Sequence, residues 1–236
     1  MSAVFRRELR AFFTNPIGYV VLAVLFCVSG YFFFHYNLSS NSADLTNVFV
    51  QLFSIVLLAL PFLTMRLFSE EKRQKSDQAL LTAPVSLSGI VLGKFFATLL
   101  LFLIGLSITL VYGAVIAFGK AVPDWTMILG NYLGLALVGG FIIAVGVFVS
   151  ALTESQVIAA VGTLAVSLLL LCVDLAGALF GNFAWIVKIT DFLSITGRYS
   201  DFALGLIYYD NVIFFLSLQA LFLFLTVRVL DKRRWN

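Results

Sequence analysis

Charge is what this sequence has least of. Only 11% of its 236 residues are Asp, Glu, Lys or Arg, while 61% are hydrophobic. A soluble domain carries about 25% charged residues, so a water-solvated fold is excluded and the chain reads as an integral membrane protein. The net charge of +3 is too small to point to a nucleic-acid partner. Cysteine and histidine are nearly as scarce, at two and one. Cys27 and Cys172 fall inside apolar runs and read as buried free thiols, since neither has ligand spacing or a partner His for a disulfide or metal pair. His35 ends an apolar run and reads as an interfacial residue. No cleavable signal peptide is expected: the first apolar run is too long for an h-region, no small-x-small site follows it, and Glu8 follows the twin Arg6–Arg7 where an apolar residue would be wanted.

Catalytic patterns are missing too. There is no GxSxG, HExxH, Cys–His set or pair of carboxylates within an apolar run. The nearest approach to a phosphate loop, Gly89–Ile–Val–Leu–Gly93–Lys94–Phe95, has three residues between its glycines where four are needed. It also has Phe where Ser or Thr holds magnesium, and it leads straight into an apolar run. The chain is therefore expected to be non-catalytic, with no cofactor or metal of its own; ATP and magnesium, if they drive it, bind a partner chain.

Six apolar runs are present, each near the ~20 residues a helix needs to cross a bilayer: 17–34, 48–67, 95–118, 128–152, 157–180 and 212–229. They are continuously apolar, without the alternation of a β-barrel. The fold class that follows is an all-α integral membrane protein with six transmembrane helices in a single domain, 1–236. Six crossings put both termini on one side. With them fall Arg6, Arg7, Arg10, Arg66, Lys72, Arg73, Lys75, Lys94, Arg228, Lys232, Arg233 and Arg234, leaving Lys120, Lys188 and Arg198 opposite. Twelve against three makes the termini cytoplasmic by the positive-inside rule.

The main charged interruption lies within residues 61–94. Glu70, Glu71, Lys72, Arg73, Lys75 and Asp77 crowd eight positions, and each charge at a bilayer centre costs about 2.5–3.5 kcal/mol on insertion scales. The segment must project into water. Glu70–Arg73, Glu71–Lys75 and Arg73–Asp77 have helical i,i+3 and i,i+4 spacing, which predicts that the second span continues as a water-exposed helix. Ala79, Leu80 and Leu81 then offer a small apolar patch before Pro84. Charges followed by an apolar patch suit a protein contact; an ordinary solvated loop would carry the same composition. Ser86 or Ser88 is placed to cap the next helix, with Lys94 at the headgroups.

Three further features stand out. In residues 1–15, Phe5, Leu9, Phe12 and Phe13 share one helical face while Arg6, Arg7 and Arg10 reach headgroups, predicting an amphipathic interface helix; a plain basic topology anchor would read similarly. On the far side, residues 181–211 are apolar but too short to span. Trp185, Ile186, Ile189, Phe192 and Leu193 form one face, and Tyr199, Phe202, Ala203 and Leu206 a second. They predict two re-entrant or interfacial helices, or else a loop with an aromatic belt that includes Tyr208 and Tyr209. Asp174 is the one acid deep in an apolar run, a candidate for substrate contact or proton relay. Snorkelling or a bond to a neighbouring helix is the structural alternative.

The stretch TMRLFSEEKRQKSDQALLTAPVSLSGIVLGKFFA resembles the signature of ABC-2-type transporter permeases. In that family an arginine and a Ser/Ala-Glu-Glu-Lys/Arg helix lead into Leu-Leu-Thr-x-Pro-Val and a Gly-Lys helix start. RRELRAFFTNPIGYVV, SALTESQVIAA and ITGRYSDFALGLI match further family positions, so the likeness covers nearly the whole chain. The form of the charged stretch is closest to the gliding-motility-associated permease branch; Gln74–Lys75–Ser76–Asp77 departs from the more usual Gly-Thr pair and acid. The resemblance implies a homodimer of permease chains in the bacterial inner membrane, each resting on one of two copies of a cytoplasmic ABC ATPase. It also implies a coupling helix at 69–82. Glu70, Glu71, Arg73 and Asp77 would supply its charged contacts, Leu80 and Leu81 the apolar ones, and Thr153, Glu154 and Gln156 a second contact. Export is the implied function. Mechanical or regulatory work with an extracytoplasmic auxiliary subunit is the alternative, and a proton-coupled carrier using Asp174 a third.

Overall fold

The computed structural model describes residues 2–75, 86–119, 122–179, 190 and 194–234, with the side chains of 174–179 and 234 outside the description. Among the described residues every regular element is helical. The described residues include ten α-helices: α1 (Ser2–Thr14), α2 (Pro16–Phe33), α3 (Thr46–Thr64), α4 (Ser69–Arg73), α5 (Leu87–Leu106), α6 (Ile108–Phe118), α7 (Trp125–Leu152), α8 (Gln156–Leu179), α9 (Ile195–Ala203) and α10 (Tyr209–Arg234). Six stretches are long and apolar enough to cross a membrane: Pro16–Leu38, Thr46–Arg73, Leu87–Phe118, Trp125–Leu152, Gln156–Val173 and Tyr209–Arg233. The six-span expectation holds.

Several boundaries differ from the sequence reading, each for a local reason. The first span ends in a π-helical turn, Phe34–Leu38, where the Ser40 hydroxyl donates to the Tyr36 carbonyl and the chain turns outward. Its Asn37 amide donates to the carbonyls of Ser42 and Asp44, fastening the loop that follows. The third span begins at Leu87, because Ser86 caps it by accepting from the Gly89 amide. That span breaks at Ser107, whose hydroxyl donates back to the Ile104 carbonyl, while Thr109 bonds Leu106. Such back-bonding bends helices. Cys27 and Cys172 are free thiols, as expected, but both are exposed on the helix surface. An apolar position in a membrane helix can face lipid, so hydrophobicity did not predict burial there.

Helix α7 is the hub. It packs against α3, α5, α8, α9 and α10 and is the most enclosed of the six spans. Closeness comes from small residues: a Cβ on Gly134 would lie 2.7 Å from the Cβ of Phe202, so α9 lies directly on the helix backbone. The Tyr199 hydroxyl donates to the Asn131 side-chain carbonyl at 2.9 Å, and the Asn131 amide donates to the carbonyls of Met127 and Ala203. Tyr199 and Phe202 are buried as the second far-side face predicted. Leu206 lies past the end of α9 and is exposed. Of the first face, Trp185, Ile186, Ile189, Phe192 and Leu193 lie outside the described residues.

Candidate docking site at the basic end

The end of the bundle that carries both termini gathers α1, α4, the start of α5, the end of α7 and the turn into α8. The second span does not run on as one helix. It ends at Thr64, turns through 65–68, and restarts as α4. The turn is held by one side chain: Ser150 of α7 accepts from the Phe68 amide at 2.9 Å and the Ser69 amide at 3.1 Å, and donates to the Met65 carbonyl at 3.1 Å. Its hydroxyl thereby supplies partners to backbone groups that the interrupted helix leaves open. Gly146, one turn earlier, makes room for α3, since a Cβ there would fall 2.0 Å from the Thr64 hydroxyl oxygen. Lys72 is buried and donates to the Ala151 carbonyl. The described part of the predicted first contact segment, 69–75, is therefore seated on the end of α7, immediately before the predicted second one, 153–156.

Behind α4 lies a closed ring of charge. Arg7 Nη2 lies 2.7 Å from both Glu8 Oε1 and Glu71 Oε1, and Lys94 Nζ lies 3.0 Å from the same two oxygens. Each cation thus touches both anions, and the ring joins α1, α4 and α5. Lys94 is only 1% exposed. Its third proton goes to the Leu67 carbonyl at 2.7 Å, and the ammonium sits 5.0 Å from the centre of the Phe68 ring. An ammonium has three donors and no acceptor, so its capacity is fully used. Beside the ring, Arg66 stacks over the buried Phe12 ring at 5.3 Å.

Burial alone would raise the Glu8 carboxyl pKa. The Lys94 charge, with the hydrogen bond and charge of Arg7 and the bond from Lys94, outweighs burial and holds it below the ordinary carboxylate value. Burial likewise works against the Arg7 cation, but Glu8 and then Glu71 raise its pKa overall.

This geometry sorts the candidate residues. Arg73 and Glu154 are exposed, Glu70, Thr153 and Gln156 are half-buried, and all five lie on the chain near the α4–α7 junction. Glu71 faces inward to Arg7 and Lys94. Its expected pairing with Lys75 does not have helical geometry, because α4 closes at Arg73 and Lys75 adopts a left-handed φ of 55°. Lys94 does not sit at the headgroups either; α5 starts seven residues before it and carries it into the ring. Asp77, Leu80 and Leu81 lie outside the described residues, as does the side chain of Asp174. Lys72, Ser150, Glu8, Arg7 and Lys94 were not singled out as site residues. The available signal was an acid in a basic amphipathic helix together with a lysine inside an apolar run.

The sequence as a whole places the chain: residues 3–231 match the family model of the ABC-2 family transporter protein. The chain belongs to this family. Members of this family are membrane subunits that generally work with a cytoplasmic ATPase subunit. Comparison with curated proteins gave no match.

Proposed function

We propose that this ABC-2 protein is the permease subunit of an exporter of the bacterial inner membrane, with both termini cytoplasmic, and that its ATPase docks on the surface formed by α4 and residues 153–156. The observation that carries the reading is the seating of α4 on α7. A short charged helix carrying Glu70 and Arg73 packs against both helices that flank the turn holding Glu154, while Ser150, Lys72 and the ring hold its inner side. A push on the outward side reaches α1, α5 and α7 together. A ligand shifts a conformational equilibrium only by its differential affinity for the two states, and a segment fixed to three helices transmits that difference. In this reading Glu71 positions the docking helix, whereas Glu70, Arg73 and Glu154 meet the ATPase. Asp77, Leu80 and Leu81 extend the contact, two permease chains face each other, and each carries one ATPase.

The test is purification of the tagged chain from its native membranes in mild detergent, with the accompanying proteins and ATP hydrolysis as readouts. Combining Arg73→Glu with Glu154→Lys is expected to lower the recovered ATPase by about tenfold or more, because like charges set against each other across an interface cost several kcal/mol. Membrane insertion is unchanged, both side chains being exposed. Full recovery of the ATPase with that double variant would sink the docking surface. An extracytoplasmic protein in the wild-type preparation would favour the mechanical branch.

A further inference from the structure

A groove of about 690 Å³ opens on the side of the bundle between α5, α7 and α10. Its floor and walls include Val91, Phe95, Leu99, Leu137, Ala220 and Phe224. From Ser88 to Leu103 along α5 it covers sixteen residues, fifteen rises or about 22 Å at 1.5 Å each. It therefore runs from the basic end of the bundle to beyond the midpoint of a hydrocarbon core about 30 Å thick. Only two of its wall residues, Ser88 and Gln219, are polar, and the Gln219 amide nitrogen is committed to the Leu137 carbonyl at 3.0 Å.

Its basic end has a charged mouth. Exposed Arg228 holds its guanidinium 5.0 Å above the Phe224 ring, and Phe224 itself lines the groove. Lys232 and Arg233 follow, both exposed, against Asp231 as the one acid in that stretch. Ser88 stands exposed on the opposite wall. The trough is too small for a transmembrane helix: a helix about 10 Å across and that long has roughly 1,700 Å³. We infer that the groove is a binding site for one anionic phospholipid of the leaflet on the basic side, with an acyl chain along α5 and α10 and the phosphate at Arg228 and Ser88. The reading does not depend on the ATPase or on which chemistry is exported. Apolar area supplies chain binding and the cation selects the headgroup, the two-part recognition that basic sites at helix ends use for lipid.

The experiment places the purified full chain in nanodiscs of equal phosphatidylglycerol and phosphatidylcholine, extracts it into mild detergent, and counts retained lipid by native mass spectrometry. The wild type is expected to retain one phospholipid per chain with phosphatidylglycerol preferred. Arg228→Gln lowers that preference about fivefold, the factor one surface cation contributes. Ala220→Trp fills the groove and removes both lipids. Equal retention of the two lipids by the wild type overturns the inference, as does retention that neither variant changes or a protein segment found in the groove. Arg73→Glu leaves lipid retention untouched, so failure here and failure of the docking surface are read separately.

Discussion

At the scale of single residues, the ring of Arg7, Glu8, Glu71 and Lys94 shows why ionisable groups persist in so apolar a chain. A lone Lys94 at 1% exposure would be heavily penalised for lost hydration. With two carboxylates and a carbonyl at hydrogen-bond distance, that penalty is offset. Lys94 is the hardest member to remove, since its loss leaves two carboxylates facing only the half-exposed Arg7, and breaking a buried pair from one side costs about 3–5 kcal/mol. Acid should find the weak point. The Glu8 carboxyl has a folded pKa below its ordinary value of 4.5. Its contribution is therefore fully present above that value and lost as pH falls through the lower folded value. Thermal midpoints of the detergent-solubilised protein should keep the full Glu8 contribution, with no pH dependence from it, above about pH 5 and should drop on stronger acidification. In Glu8→Gln this drop should be smaller, on a midpoint already reduced at neutral pH. Parallel wild-type and variant profiles through the acid range would contradict the assignment.

At the scale of elements, the interruption between α3 and α4 matters more than either helix. Four residues leave the helical path, and Ser150 on a different helix supplies the missing partners. Ser150→Ala deprives two buried amides of their acceptor at about 1–3 kcal/mol each. The local result should be faster proteolysis within 65–75 in a chain whose other spans stay protected; unchanged cleavage there would mean the turn holds itself. None of this was legible beforehand. The charges at Glu70 to Arg73 marked the short helix α4, since helical spacing of charge is a local property. Where that helix stops, and which carboxylate turns inward, depends on Ser150 and Lys94, which are 80 and 23 residues from Glu70 and Glu71 in the chain. The six spans and the α9 face were legible because each rests on a continuous run or on one helical period. The exposed Cys27 and Cys172 were not, because lipid-facing and core-facing positions share one composition in a membrane helix.

At the scale of the whole molecule, the six spans order the ends of the bundle, and the orientation can be tested directly. With Cys27 and Cys172 replaced by alanine, Gln74→Cys and Glu154→Cys should react with an impermeant thiol reagent from the same face as the termini, and Ser40→Cys from the opposite face. Labelling of Gln74→Cys and Ser40→Cys from one face would break the six-span topology. The ring has a further consequence, an electrical one. It sums to zero, two cations against two anions. A membrane voltage acts on each elementary charge with about 2.3 kcal/mol per 100 mV. If α1, α4 and α5 shift together along the bilayer normal, these four side chains carry no net charge through the field. The ring is thus electrically silent in that movement, and any response to voltage comes from the other charges on these helices, such as Arg6 and Arg10.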